Sequence, residues 1–132
     1  MTRHQIESTV RTEYNKYKGT NAKKTRLSIG IGCGTASYEF DLYELNVVIG
    51  CISTSSWFNE TGTNNTGGQD RASSELSWLS LWQGIESRVH ILTDKEMAHR
   101  LFKKHSGAQF PHSIEIHHFE INTKRFSLIG TL

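Results

Sequence analysis

The chain has 132 residues, a length that suits one domain and buries enough core to need no disulfide or metal staple. Hydrophobic residues at 36%, charged residues at 21% and aromatics at 10% exclude a disordered composition, and a formal charge of +2 is too small to argue by itself for a nucleic-acid partner. The sequence reads as a single domain over 1–132, with an N-terminal helix in 1–19 and a mixed-sheet core in 26–132.

The opening "MTRHQIESTVRTEYNKYKG" is charged throughout and no apolar run reaches membrane-spanning length, which predicts no membrane partner and a cytoplasmic location. Cys33 and Cys51 each sit in an Ile-Gly-Cys triplet inside an apolar run, where a buried free thiol in a reducing compartment is expected.

In chain order, Ile6, Val10, Tyr14 and Tyr17 make one apolar helical stripe that Gly19 can end. Lys16, Lys18, Lys23, Lys24 and Arg26 follow around it and read as a solvated helix terminus, with a phosphate-binding patch as the alternative. Three runs, "RLSIGIGCG", "SYEFDLYE" and "LNVVIGCIST", are rich in β-branched and aromatic residues and predict a three-stranded antiparallel meander. The middle run also fits a helix, since Tyr38, Leu42 and Leu45 would line one face.

"SSWFNETGTNNTGGQD" is polar and glycine-rich and predicts a long exposed loop, after which Asp70 can cap a helix with Leu76, Leu79 and Trp82 on one stripe and Trp78, Leu81 and Ile85 on another. Val89, Ile91 and Leu92 predict a strand. Met97, Ala98, Leu101 and Phe102 predict an inward helix face with Gly107 beyond its end, and "SIEIHHFEI" and "RFSLIGTL" close the chain as strands. The fold class is therefore α/β: a mixed β-sheet with an N-terminal three-stranded meander, flanking helices and Val89 to Leu92 in its central strand.

Asp94 lies where the strand gives way to the next helix. Thr93-Asp94-Lys95-Glu96 fits a capping box, with Thr93 as N-cap, Glu96 at the third position and Asp94 near the positive helix end. The alternative is a ligand role shared with Glu75, near the start of the preceding helix. Carboxylates brought together repel unless a cation neutralises them, which is why such clusters bind Mg²⁺ and serve phosphodiester hydrolysis.

The segment "TNNTGGQDRASSELSWLSLWQGIESRVHILTDKEMAHRLF", residues 63–102, resembles the ribonuclease H family, in which a TNN-type turn precedes an acidic-Leu helix start and a strand then ends in Thr-Asp. The resemblance implies a ribonuclease H-like domain in which Glu75 and Asp94 hold Mg²⁺ or Mn²⁺ and cleave RNA or an RNA-containing duplex. The family's first aspartate, normally in an Asp-Gly-Ser context on the first strand, has no clean counterpart; Asp41 in "EFDLYE" is the best candidate for the third metal-binding catalytic acid. His117, His118 and Glu120 are the residues available to replace the family's later acid and histidine. The departure at the first acid keeps open a non-catalytic module of the same fold that binds nucleic acid or protein, as a homo-oligomer if an exposed edge strand pairs with a second copy.

"LSIGIGCGTA", residues 27–36, resembles the first motif of class I S-adenosylmethionine-dependent methyltransferases, which implies an S-adenosylmethionine-binding protein with Gly32 and Gly34 against the cofactor. A packed strand and tight turn explains the same glycines. His112, His117 and His118 suit a transition metal, but adjacent strand residues face opposite ways, so a surface histidine pair is expected. Trp57 and Phe58 either stack on bases or fold back over the core, and the lack of basic residues in their loop favours packing.

Overall fold

The computed structural model describes residues 1–132. It has three helices, α1 (Arg3–Lys18), α2 (Thr66–Leu81) and α3 (Lys95–His105), and seven strands, β1 (Thr25–Ile31), β2 (Gly34–Phe40), β3 (Leu42–Glu44), β4 (Val48–Ser53), β5 (Ser87–Leu92), β6 (Ile114–Glu120) and β7 (Arg125–Thr131). No helix is long and apolar enough to cross a membrane.

Strands β3 to β7 form one mixed sheet in chain order; β4, β5 and β6 run parallel, and antiparallel β3 and β7 form the edges. The parallel strands are joined through α2 and α3. All six residues of β4 and the last five of β5 are buried, as expected of strands covered on both faces. Strand β5 is central, as Val89 to Leu92 predict.

On one face Ile49, Cys51, Leu92, Ile114 and Ile116 meet Ala72, Leu76 and Leu79 of α2 and Met97, Ala98 and Leu101 of α3. On the other, Val48, Ile52, Val89, Ile91 and Phe119 meet Val10 and Tyr14 of α1. The result is a three-layer α/β/α sandwich. Gly50 lets β4 approach β5 closely, since a Cβ there would stand 2.7 Å from Val89 Cγ1 and 2.9 Å from the Val89 carbonyl oxygen.

The predicted three-stranded meander does not form. Strands β1 and β2 are a separate two-stranded hairpin, and the "SYEFDLYE" run breaks at Asp41 into β2 and β3, with no helix. Phe40 and Leu42, two residues apart, would share a face of one continuous strand. Instead Phe40 packs into the α2–α3 side of the core and Leu42 into the α1 side, so the chain turns at Asp41. The hairpin is held to α2 by Tyr38 stacked on Trp78, with ring centroids 4.7 Å apart.

Helix α2 begins earlier than predicted: Asn65, not Asp70, is the N-cap, and its side chain accepts from the Gly68 N–H at 3.2 Å. Cys51 is buried as expected, whereas Cys33 lies exposed at the hairpin turn. His117 and His118 are not a surface pair; both are buried, because β6 is paired on both sides and covered on both faces.

Candidate functional site

At the C-terminal end of β4 the turn at Asp41 and the buried face of α2 meet. Asp41 Oδ2 accepts from the Ile52 N–H at 2.8 Å, which fixes the carboxyl beside β4, and its carbonyl accepts from Arg11 Nε of α1 at 2.8 Å. Glu75, buried on α2, accepts from the Ser53 hydroxyl at 2.5 Å through Oε1. Ligand atoms of Asp41, Glu75 and Cys51 all lie within 4.8 Å of one another.

Two further buried titratable groups bear on the cluster, His90 by contact and Glu7 by its charge. His90, paired with Cys51 across β4 and β5, places Nε2 3.4 Å from Ser53 Oγ and 3.8 Å from Glu75 Oε1, while its Nδ1 has no hydrogen-bond partner. Glu7 of α1, also buried, accepts from Arg3 Nε at 3.0 Å. Above Ser53 lies a surface crease too narrow to admit a water molecule, flanked by Arg3 and Arg71, the latter donating to Ser55 Oγ at 2.8 Å.

The electrostatics follow from the crowding. Burial pushes the Asp41 carboxyl up to about 6; the Ile52 N–H bond opposes the rise, and the Glu7 and Glu75 carboxylates add to it. Burial likewise drives the Cys51 thiol well above its ordinary range, with Glu75 and Asp41 reinforcing the shift. Cys51 therefore stays protonated near neutrality and is no ready thiolate ligand.

Of the three carboxylates expected from sequence, the structure brings Asp41 and Glu75 together and leaves Asp94 apart. Asp94 Oδ2 accepts from the Met97 N–H at 3.0 Å as the N-cap of α3, and from the Trp57 N–H at 2.9 Å. The cap is thus Asp94 itself, one residue beyond the predicted Thr93. His117, with Nε2 2.9 Å from Glu115 Oε1, and His118 lie on β6, one strand beyond β5, and are not members of the cluster.

Ser53 and His90 escaped the sequence reading. Their signal was a polar residue at a buried position: "RVHIL" carries Arg88 and His90 on one face of a strand that is apolar elsewhere. The GCGT turn, with Gly32 at φ 55°, joins the two strands of the β1–β2 hairpin and leads into no helix. No protein-family model matches the chain, and neither a curated protein nor a solved structure matches it.

Proposed function

We propose that the chain is a metal-dependent phosphoesterase acting on RNA or an RNA-containing duplex, with Asp41 and Glu75 holding one Mg²⁺ or Mn²⁺. The observation that carries this reading is the approach of Asp41 and Glu75, whose ligand atoms lie within 4.8 Å of each other, with the half-buried Asp41 carboxyl raised to about 6, a crowding that a cation would relieve. Asp41 Oδ1 and Glu75 Oε2 are the oxygens not engaged by Ile52 and Ser53, and two carboxylates plus water and substrate oxygens fit the ligand preference of Mg²⁺. The donor set suits this hard cation without the protonated Cys51 thiol.

When bound, the ion supplies Lewis acidity at a phosphoryl oxygen and a water acidified for attack. The chain's own groups do the remainder. Ser53, by donating to Glu75, fixes that carboxylate, and Arg3 and Arg71, at the surface on either side of the crease, would attract a phosphodiester to its mouth. Asp94 has no metal role in this reading, so the site is a one-ion site. The ribonuclease H resemblance contributes the order of helix, strand and Thr-Asp over 63–102 and not a three-acid set.

The diversion of Asp94 to a cap favours the second reading, a non-catalytic ribonuclease H-like module. Titration of Mg²⁺ and Mn²⁺ into wild type, Asp41→Asn and Glu75→Gln, following melting temperature and cleavage of a labelled RNA–DNA duplex, separates the two. Catalysis requires a metal-induced rise in melting temperature and cleavage in wild type, both lost in the variants. Absence of both in wild type removes the nuclease and leaves the binding module.

A further inference from the structure

The 54–65 loop leaves β4 beside the carboxylate cluster and then leans on α3. Its backbone is tied down: the Trp57 N–H donates to Asp94, and the Trp57 carbonyl accepts from both the Asn65 N–H and Gln69 Nε2 at 2.9 Å. Between this loop and α3 lies a shallow, open cleft of about 540 Å³ lined by Trp57, Gln69, Arg100, Lys103 and Lys104. The lining contains one indole, one amide, three cations and no acid.

Arg100 shows how the cleft is organised. Its guanidinium lies 5.5 Å from the Trp57 ring centroid and 5.1 Å from that of Phe58, while Nε pairs with Glu96 at 2.5 Å. Lys103 and Lys104 are exposed and face the cleft without a carboxylate in its lining. Cations in the last turn of a helix complement its dipole, which accounts for their presence on α3. The half-buried Trp57 indole packs against the α2–α3 side of the core, as its loop's composition predicts, and turns its remaining surface to the cleft beside Arg100.

We propose that this cleft binds a nucleotide unit, its base against Trp57 and its phosphates on Arg100, Lys103 and Lys104. Aromatic faces accept any base by stacking, and clustered cations supply phosphate affinity. Gln69, whose amide nitrogen is engaged by the Trp57 carbonyl, keeps its amide oxygen as an acceptor for an N–H on the edge of the base. The fixed loop presents the indole preordered, which lowers the entropy lost on binding. The same chemistry is offered by a free nucleotide and by one residue of a single strand. The site uses none of the side chains that would hold the metal, so it stands or falls separately from the phosphoesterase reading.

The test is binding of ADP, a labelled decathymidylate and inorganic pyrophosphate to the full chain, by calorimetry and anisotropy at low salt. The variants are Lys103→Glu/Lys104→Glu, Trp57→Ala and Asp41→Asn. One of the two nucleotide probes is expected to bind, more tightly than pyrophosphate; the charge reversal weakens it at least about tenfold. Trp57→Ala weakens it about tenfold, while Asp41→Asn leaves it unchanged. Tighter decathymidylate identifies a strand as the source, and tighter ADP a free nucleotide. The two lysines are exposed, so their variant remains informative should Trp57→Ala fail to fold. No binding by wild type, equal binding by the lysine variant, or pyrophosphate binding as tightly as the nucleotide overturns the proposal.

Discussion

Buried charge occurs at both ends of the β4–β5 pair, and the two ends are built differently. At the lower end Arg88 donates to the carbonyls of Leu79 at 3.1 Å, Gly84 at 3.1 Å and Glu86 at 3.3 Å, and also to that of Trp82. Glu86 beside it accepts from Trp82 Nε1 at 2.8 Å, the Asn46 N–H at 2.9 Å and the Tyr43 hydroxyl at 3.2 Å. Burial alone would raise the Glu86 carboxyl, but these donors prevail and hold it below its ordinary value. At the upper end the sign reverses: Asp41 is raised, and His90 Nδ1 is buried without a partner. A buried charge with a hydrogen bond at every guanidinium nitrogen locks the end of α2 onto the start of β5. A half-buried carboxyl held above its ordinary range is kept at a cost to stability near neutral pH, and that contrast is the reason for proposing a cation at the upper end.

The contrast can be broken most sharply at the satisfied end. Arg88→Met strands several buried carbonyls and is expected to cost about 3 kcal/mol or more in urea unfolding; a loss below about 1 kcal/mol would show that the guanidinium is not the lock described.

Asp41→Asn tests the strained end and carries the opposite sign. The carboxyl rises from 3.8 unfolded to about 6 folded, so between those values the folded chain holds the extra proton. Its contribution is therefore fully favourable below about pH 4 and is lost as pH rises through 6, by up to about 3 kcal/mol at 1.36 kcal/mol per unit. Asparagine keeps an acceptor for Ile52 and does not ionise. Without added metal it should leave stability near wild type at pH 4 and raise it by about 2 kcal/mol at pH 7.5. Equal urea midpoints for the two proteins at pH 7.5 would contradict the strain.

Asp94→Ala belongs to neither end and should have the smallest effect, about 1 kcal/mol for a lost N-cap. Because the same oxygen holds Trp57, limited proteolysis should quicken within 54–65. Cleavage unchanged at that loop would separate the cap from the tether.

Much of the fold was legible because period and punctuation agree: the α1 stripe, the strands around Val89 and Ile116, and the inward face of α3 follow directly from their spacing. The hairpin was not, because parity assigns Phe40 and Leu42 to one face and only the turn at Asp41 sends them to opposite sides. The start of α2 was hidden by Gly67 and Gly68, which as a pair read as loop; Gly68 is buried against Ser55, where a Cβ would come within 2.9 Å of the Ser55 Cβ. Glu75 and Asp41 were recognisable as acids worth placing. Ser53, His90 and the basic side of the Trp57 cleft depend on pairing between distant strands and on α3 folding back over the loop, and no local window contains them.

In the main sheet every strand pairs with the one that follows it in the chain, from β3 through β7. A ribosome would therefore release each strand after the neighbour it must join, so the sheet can grow by addition at one edge and no strand has to be inserted between two already in place. The final addition, β7, closes against β6 with a short connection. Assembly in the order of synthesis leaves only one growing edge open at a time, which limits the exposure of unpaired strands to other chains during folding.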